Sequence, residues 1–273
     1  MHFGATLRLL RLESGLGLRD LARRLGVSGS YLSRVESGVD ATPATNRLLA
    51  LARELNIPPT LLLDLAHQIS PLVVDYVERV PEAGSLFLQI AHRRLNASQL
   101  AEVRAFIDAR FPASAAQARQ DQGETLGELL SLERVVLGLS SEHLEDALDV
   151  AVGRLAHALP RGATAALAAT LKKREAEVPS FIGGGVAVPC ACIADATPAA
   201  ALVTMATPLE CATPDGLPLR LMVVLVGPSN AKGHLLRLAR IARLAAHGLA
   251  ERMLAAQTPE QVLQQLALLE AWR

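Results

Sequence analysis

The spacing of apolar residues changes along this chain near residues 112–123, and this change constrains the fold more than any other sequence feature. Before it, apolar side chains recur three and four residues apart, as on amphipathic helices, and no stretch alternates like a strand. After it, helical stripes alternate with three short apolar runs typical of buried strands, VAVPCACI, ALVTMA and LRLMVVLV. The sequence therefore predicts a multidomain protein with an all-α part followed by an α/β part.

The same change predicts four segments. Residues 1–68 are expected to form a domain of short helices separated by glycine and proline. Residues 69–111 are expected to form a helical connector, with one helix beginning at Pro81 and another capped by Asn96, and its length suits a dimerisation region. Residues 112–123 are small and polar, as in linkers, and residues 124–273 form the last domain.

Composition excludes several classes of protein. The 27 basic and 27 acidic residues cancel, so nucleic acid cannot be bound through a polycationic coat. The longest dense apolar run, Leu221 to Val226, is far shorter than the ~20 residues of a membrane-spanning helix. The N-terminus lacks the pattern of an export signal, and three cysteines are too few for a disulfide framework. We expect a cytoplasmic protein with reduced thiols and no membrane contact.

The segment GLGLRDLARRLGVSGSYLSRVESG predicts two helices joined by a tight turn. The first covers Leu18 to Leu25, and the second runs from Gly29 to Ser37 with Ser28 as its cap and Gly38 at its end. This segment and the following RLLALARELNI resemble the Cro/C1-type (Xre) helix-turn-helix family over about the first 65 residues. A bundle used only for protein contacts is the alternative.

The resemblance implies that the second helix enters the major groove of double-stranded DNA. Arg34 is the candidate for a two-pronged contact to guanine, and Arg11 would support the phosphate backbone. The full set of implied DNA-binding residues is Arg8, Arg19, Ser28, Ser30, Tyr31, Ser33, Arg34 and Asn46. Because one such module binds weakly, we expect a homodimer on two half-sites.

The last domain contains the segment ATLKKREAEVPSFIGGGVAVPCACI, which joins a helix, a glycine turn and a strand. With the Asp215-Gly216 turn, the strand LRLMVVLVGP and His234 opening a helix, it resembles the fructose/mannitol-type enzyme IIA of the sugar phosphotransferase system, including its nitrogen-regulatory branch. The resemblance implies a mixed sheet flanked by helices. It also implies a phosphate-accepting histidine after the proline, where this chain has Cys190, with Arg174 and His234 as the family's arginine and second histidine.

Four interpretations of Cys190 follow from this exchange. It packs in a vestigial pocket, or it is a thiol switch whose pKa is lowered by Arg174 and a protonated His234, with Cys192 or Cys211 as the resolving partner. It could instead ligate a metal with Cys192, Cys211 and His234, or carry a phosphoryl group. The arginines at 237, 240 and 243 are expected to form a solvated helix face.

Together these features predict a sequence-specific transcriptional regulator whose degenerate enzyme IIA-like domain senses a thiol, redox or ligand signal through Cys190. Control by phosphotransfer, or by docking of a phosphotransferase system protein, is the first alternative. A metal-responsive regulator that uses the three cysteines and His234 is the second, although no metal is identified. We expect no enzymatic activity and no cofactor.

Overall fold

The N-terminal domain consists of five short helices in a computed structural model that describes residues 2–112, 124–228 and 231–270. The helices are α1 (Phe3–Glu13), α2 (Leu18–Arg24), α3 (Gly29–Glu36), α4 (Thr45–Leu55) and α5 (Pro59–Leu65). Each contributes fully buried leucines to one core, among them Leu7, Leu21, Leu32, Leu48 and Leu62. Burial of these side chains holds the short helices together, since isolated helices of this length are marginal in water.

The helix pair α2 and α3 forms as the sequence predicts. Gly26 supports the turn with a φ of 65°, which an L side chain rarely adopts. The Ser28 side chain accepts a hydrogen bond from the Tyr31 amide at 3.1 Å and so caps α3. Gly38 follows the helix with a φ of 73°. The turn and both caps are therefore local consequences of the sequence.

A helical arm follows, consisting of α6 (Pro71–Arg79), α7 (Pro81–Arg93) and α8 (Ala97–Arg110). The predicted start at Pro81 and cap at Asn96 are both confirmed, the latter by a capping box with Gln99. Neither α6 nor α7 has a buried residue. The predicted linker covers residues 112–123, and all of it except residue 112 lies outside the described residues.

The C-terminal domain combines helices with short strands. Its helices are α9 (Leu126–Leu129), α10 (Leu144–Arg154), α11 (Ala163–Glu177), α12 (Ala231–Ala246), α13 (Leu249–Ala255) and α14 (Pro259–Glu270). Its strands are β1 (Val135–Leu139), β2 (Phe181–Gly183), β3 (Val186–Ala187), β4 (Cys190–Cys192), β5 (Ala199–Leu209) and β6 (Leu219–Gly227). The predicted α/β class and mixed sheet are confirmed.

The sheet has the order β1-β5-β6-β3-β2, with β4 also paired to β6. Strands β5 and β6 are antiparallel and are connected through the turn at Gly216, whereas β1 runs parallel to β5. The run VAVPCACI forms two strands instead of one, and both pair in parallel with β6. Pro189 separates them because it has no amide hydrogen for the ladder. Strands β1 and β2 are short and were not predicted.

The two faces of the sheet are covered differently. One face packs against α10 and α11, with alternate residues such as Ala191, Val203 and Val224 in that core. The other face packs against α12, α13 and α14, and its core is continuous with that of the N-terminal domain. Cys190 points to this second face. Among the described residues, no helix is long and apolar enough to span a membrane.

The N-terminal domain is docked directly on the C-terminal domain. Helix α1 lies against β2 and α12, and α5 lies against α12. The His2 amide donates a hydrogen bond to the Ile182 carbonyl at 2.7 Å, and Arg243 forms an ion pair with Asp64 at 3.2 Å. The first helix of the chain thus becomes part of the wall of the C-terminal domain.

Candidate functional site

The outward face of α3 is polar and accessible, as expected for a recognition helix. Ser30, Ser33 and Arg34 are exposed, whereas Leu32 and Val35 on the inner face are buried. The Arg34 Nε atom lies 3.0 and 3.1 Å from the two carboxylate oxygens of Asp40. Asp40 thereby orients this guanidinium at the end of the helix. Hydrogen bonding to Asp40 raises the pKa of Arg34, which stays charged.

A residue missed by the sequence analysis, Arg47, extends this surface from α4. Its guanidinium carbon lies 5.1 Å from the centre of the Tyr31 ring, and its Nη1 donates to the Tyr31 hydroxyl at 3.1 Å. This stacking fixes the exposed arginine beside the recognition helix. Asn46, next to it, is exposed as well. A planar cation held by an aromatic ring is suited to a phosphate contact.

The remaining arginines implied for DNA divide into two groups. Arg8 and Arg19 are exposed, and Arg8 lies at a groove that also contains Ser37 and Pro179. Arg11 is buried, and its Nε and Nη2 donate to the two carboxylate oxygens of Glu36 at 2.6 and 2.8 Å. The expectation that Arg11 supports the DNA backbone is wrong, because its guanidinium group is buried and joins α1 to α3 inside the domain.

A second site, the interdomain pocket, is formed by Glu13, Arg174, Cys190 and His234. Glu13 comes from the end of α1 in the N-terminal domain, while the others come from α11, β4 and α12. One Glu13 carboxylate oxygen is in contact with the Arg174 guanidinium, and the other lies 3.1 Å from His234 Nε2. Arg174 Nη1 also donates to the Cys190 carbonyl at 2.9 Å. Arg174 therefore joins strand β4 to the first helix.

Burial determines the charge state of His234. This residue is 1% exposed. Burial, and then the positive charges of Arg237 and Arg174, lower the pKa of His234 to about 4. The ring is therefore neutral near pH 7, with Nε2 placed to donate to Glu13. Its buried Nδ1 has no hydrogen-bond partner among the described residues. Burial and the two arginines therefore oppose the protonated His234 that a thiol switch would need.

Cys190 is likewise buried, at 3% exposure. Its sulfur lies within 4.8 Å of ligand atoms of Glu13 and His234. Burial raises the pKa of Cys190 to about 12, and the opposing effect of Arg174 is smaller. The predicted thiolate with a lowered pKa is therefore wrong in this arrangement, in which Cys190 is a neutral thiol. Arg174 and His234 lie beside it as expected, but both contact the Glu13 carboxylate.

The other two cysteines do not join this pocket. All three are free thiols, and Cys192 is exposed. Cys211 is only partly buried and packs against the core on the opposite face of the sheet from Cys190. The expected partnership of Cys190 with Cys211 is wrong because the sheet separates them. The group of possible metal ligands that does come together is Glu13, Cys190 and His234, which contains neither Cys192 nor Cys211.

The three arginines of α12 form contacts instead of a solvated face. Arg237 is 8% exposed, and its Nε donates to Glu124 at 2.7 Å. Arg240 donates to the Glu124 carbonyl at 3.3 Å. Arg243 pairs with Asp64 of α5, and so ties α12 to the N-terminal domain. The expectation of a solvated face is wrong because α12 lies between the sheet and the N-terminal domain.

Glu13 is the pocket residue that the sequence analysis does not identify. It is separated from its partners Arg174 and His234 by 161 and 221 residues. No local motif marks it, because a glutamate at the end of a helix is usually solvated. Only the docking of α1 on the C-terminal domain buries its side chain to 7% exposure. The pocket that results contains two fixed hydrogen-bond donors and can hold an anion.

Comparison with known families gives one match in each domain. Residues 2–65 match the model of a helix-turn-helix domain. Residues 128–268 match the model described as phosphoenolpyruvate-dependent sugar phosphotransferase system, EIIA 2. Among curated proteins, no sequence is significantly similar to this chain.

Three solved structures are similar to the C-terminal part. The nitrogen regulatory protein IIA-Ntr from Neisseria meningitidis is 25% identical, with 52% of this chain and 97% of that chain covered and a TM-score of 0.45. A putative PTS IIA domain from Streptococcus pyogenes M1 GAS is 22% identical, with 55% and 99% covered and a TM-score of 0.45. A putative PTS IIA (PtxA) from Streptococcus mutans is 21% identical, with 54% and 96% covered and a TM-score of 0.40.

Proposed function

Because this chain belongs to the phosphotransferase system EIIA 2 family and also carries a helix-turn-helix domain, we propose that it is a DNA-binding transcriptional regulator controlled by its interdomain pocket. The helix-turn-helix domain, of Cro/C1 type, binds the operator through α3. The EIIA-like domain senses a signal and does not turn over a substrate. The presence or absence of the signal in the EIIA-like domain sets the position of α1, and the position of α1 sets the orientation of α3.

The observation that carries this proposal is the bridge made by Glu13. This single side chain belongs to the helix-turn-helix domain and contacts both Arg174 and His234 of the EIIA-like domain. Arg11, two residues earlier on α1, is tied to Glu36 at the end of α3 by two hydrogen bonds. A displacement of α1 is thus passed to the recognition helix through a short chain of buried contacts.

Cys190 is the part of the pocket at which we place the signal, because its side chain lies beside the Glu13 bridge. We infer that it stands at the position where related domains carry a phosphate-accepting histidine. Any covalent change or ligand at this buried thiol adds volume beside Glu13 and His234. Well-packed cores do not absorb added volume without moving side chains or backbone. The signal therefore acts through displacement of α1, and the thiol itself is protected while the pocket is closed.

The regulator acts as a homodimer through its helical arm. Large apolar side chains are exposed on all three of its helices, including Leu72 at 70%, Leu88 at 61% and Phe106 at 66%. An exposed apolar surface of this kind is typical of protein interfaces. A second copy of the chain is its partner, because helix-turn-helix domains bind paired half-sites with a spacing set by the dimer.

The DNA-binding part is tested by selecting the operator from a random duplex library and measuring affinity by fluorescence anisotropy. Arg34→Ala is expected to weaken operator binding by about 1–3 kcal/mol and to relax specificity at one base pair. Arg47→Ala is expected to weaken all sequences alike and to lower the salt slope by about 1. Arg161→Ala, at an exposed arginine of the EIIA-like domain, is the control. Unchanged affinity in both test variants would contradict DNA binding through α3.

The control by the pocket is tested with Cys190→Ser and Cys190→Leu. The serine variant keeps the volume of the side chain and is expected to bind the operator as the wild type does. The leucine variant overfills the pocket and is expected to change operator affinity at least about fivefold. This factor corresponds to a coupling free energy of about 1 kcal/mol between the pocket and the DNA-binding surface, which is the lower end of the usual range. Equal affinity for the two variants would show that the pocket does not control DNA binding.

A further inference from the structure

Two arginines lie near the Glu13 carboxylate in the interdomain pocket. Arg174 of α11 contacts this carboxylate, and Arg237 of α12 lies close enough to affect the titration of His234. The buried Arg237 Nη1 is a donor without a hydrogen-bond partner among the described residues. Glu124 pairs with Arg237, and the buried Glu175 carboxylate accepts from the Ser180 amide at 2.9 Å. The unpartnered Arg237 Nη1 therefore leaves hydrogen-bonding capacity unused near the pocket.

We propose that Glu13 is a built-in anion that closes this pocket, and that a free phosphate-type oxyanion binds Arg174 and His234 in its place and releases α1. The guanidinium fork matches carboxylate and phosphate oxygens equally well, so one site can hold either. The Arg174 side chain is 37% exposed, which gives a ligand access from solvent. The effect of the oxyanion on DNA binding rests on the proposed function, whereas its competition with Glu13 for Arg174 and His234 does not.

The same geometry disfavours a cation. Glu13, Cys190 and His234 offer oxygen, sulfur and nitrogen atoms within 4.8 Å of one another, a set that would suit zinc. The guanidinium of Arg174 contacts the carboxylate that would be a ligand, and Arg237 adds a second positive charge nearby. A dication would be repelled by both, whereas an oxyanion is attracted by both.

Release of α1 follows from the cost of an unpaired buried charge. If an oxyanion takes Arg174 and His234, the Glu13 carboxylate loses both of its partners while its side chain remains 7% exposed. A buried carboxylate without partners is strongly destabilising, so the end of α1 must move until Glu13 reaches water. Because only the open molecules can bind, the apparent affinity of the wild type for the oxyanion is the intrinsic affinity multiplied by the open fraction.

The first experiment is isothermal titration calorimetry of the full chain with inorganic phosphate. Glu13→Gln removes the competing charge and is expected to bind phosphate at least about tenfold more tightly than the wild type, because the closed state no longer competes. Arg174→Gln is expected to lose binding. Glu54→Gln, in an exposed pair with Arg24 on the N-terminal domain, is the matched control and should behave as the wild type. Methyl phosphate in a second arm shows whether the site takes a monoester as well as the free ion.

Equal phosphate affinity in the wild type and Glu13→Gln would overturn the proposal. So would absence of phosphate binding from both proteins, or zinc binding by the wild type that Glu13→Gln abolishes. Circular dichroism verifies that each variant is folded. The wild type alone gives an independent measurement that does not depend on any variant.

This second measurement is hydrogen exchange of wild-type α1 amides with and without saturating phosphate. Release predicts faster exchange over residues 3–13 and at His2, whose amide is bonded to Ile182. Phosphate binding without faster exchange in α1 would refute the release. Faster exchange with unchanged operator affinity would leave the competition intact and show that the proposed control of DNA binding is wrong.

Discussion

At the residue scale, arginines of the first domain have different roles although the sequence presents them alike. Arg34 and Arg47 are exposed beside the recognition helix, whereas Arg11 is buried with Glu36 and also donates to the Leu16 carbonyl at 2.9 Å. Arg174 joins Cys190 to Glu13 across the domain interface. Because the guanidinium carries several donors in a rigid plane, the same residue type is found on an exposed surface, in a domain core and at a domain interface.

The buried pair Arg11–Glu36 is expected to be essential for the first domain. Glu36→Gln leaves a buried guanidinium without its counter-ion and should lower the free energy of unfolding by about 3–5 kcal/mol. Glu54→Gln breaks the exposed Arg24–Glu54 pair and should cost about 0–1 kcal/mol. Urea unfolding followed by circular dichroism measures both. Similar losses in the two variants would show that burial of the Arg11 pair has no special role.

The thiol of Cys190 is expected to titrate far above the usual range, since burial raises its pKa to about 12. In a chain with Cys192→Ser and Cys211→Ser, the ultraviolet absorbance of the thiolate should not rise as the pH passes an ordinary thiol pKa of about 8.5. The same protein in denaturant should titrate there. The stability that the neutral thiol contributes is then complete below the unfolded pKa and is lost as the pH rises toward 12. A native midpoint near the denatured one would contradict the closed pocket.

At the scale of elements, the helical arm differs from the rest of the chain. Helices α6 and α7 have no buried residue, although each has an apolar stripe. Apolar surface in water is unfavourable, and the described residues of the single chain do not cover this stripe. The proposed homodimer would cover this stripe.

The arm is expected to hold the dimer together through its exposed apolar residues. Leu72→Asp combined with Phe106→Asp should shift the protein from dimer to monomer in sedimentation equilibrium, because charges would be buried in an apolar interface. Both side chains are about two-thirds or more exposed, at 70% and 66%, so the fold of the monomer is preserved. Ser85→Asp, at an exposed polar position of α7, is the control. A double variant that remains dimeric would place the interface elsewhere.

At the scale of the whole molecule, the two domains share one core and have to be considered together. The cluster that contains Leu9 of α1 also contains Ile182 of β2 and Leu235 of α12. Backbone of the first residues lies directly on the glycine turn: a Cβ at Gly183 would be 2.4 Å from the His2 nitrogen. The glycine therefore permits the close approach that brings Glu13 into the pocket.

Gly183→Ala is expected to undock α1 from the sheet. The new methyl group would collide with His2 and would also lie 2.9 Å from the Asp215 carboxylate, at a φ of 86°. Gly216→Ala is the matched control, since its φ of 70° carries similar strain of about 1–2 kcal/mol with no atom within 4 Å of the new Cβ. Hydrogen exchange over α1 should rise in the first variant only. Equal exchange in both would show that the contact does not hold the domains.

What could be predicted from the sequence is what short segments determine. The helix pair with its Ser28 cap, the start at Pro81, the antiparallel strands β5 and β6 and the α/β class depend on spacing, caps and turn residues within a few positions of one another. The two-residue strand β3 and the three-residue strands β2 and β4 were not predicted as they occur, because strands of that length exist only through their partners in the sheet.

Tertiary structure alone decided the chemistry of the pocket. The sequence places Arg174, Cys190 and His234 in one domain, but their charge states depend on burial and on which neighbours arrive. Docking of α1 adds Glu13 and covers the thiol, burial and two arginines lower the pKa of His234, and the sheet keeps Cys211 on its opposite face. Desolvation and ion pairing depend on distances between residues remote in the chain, and no local pattern of residues determines those distances.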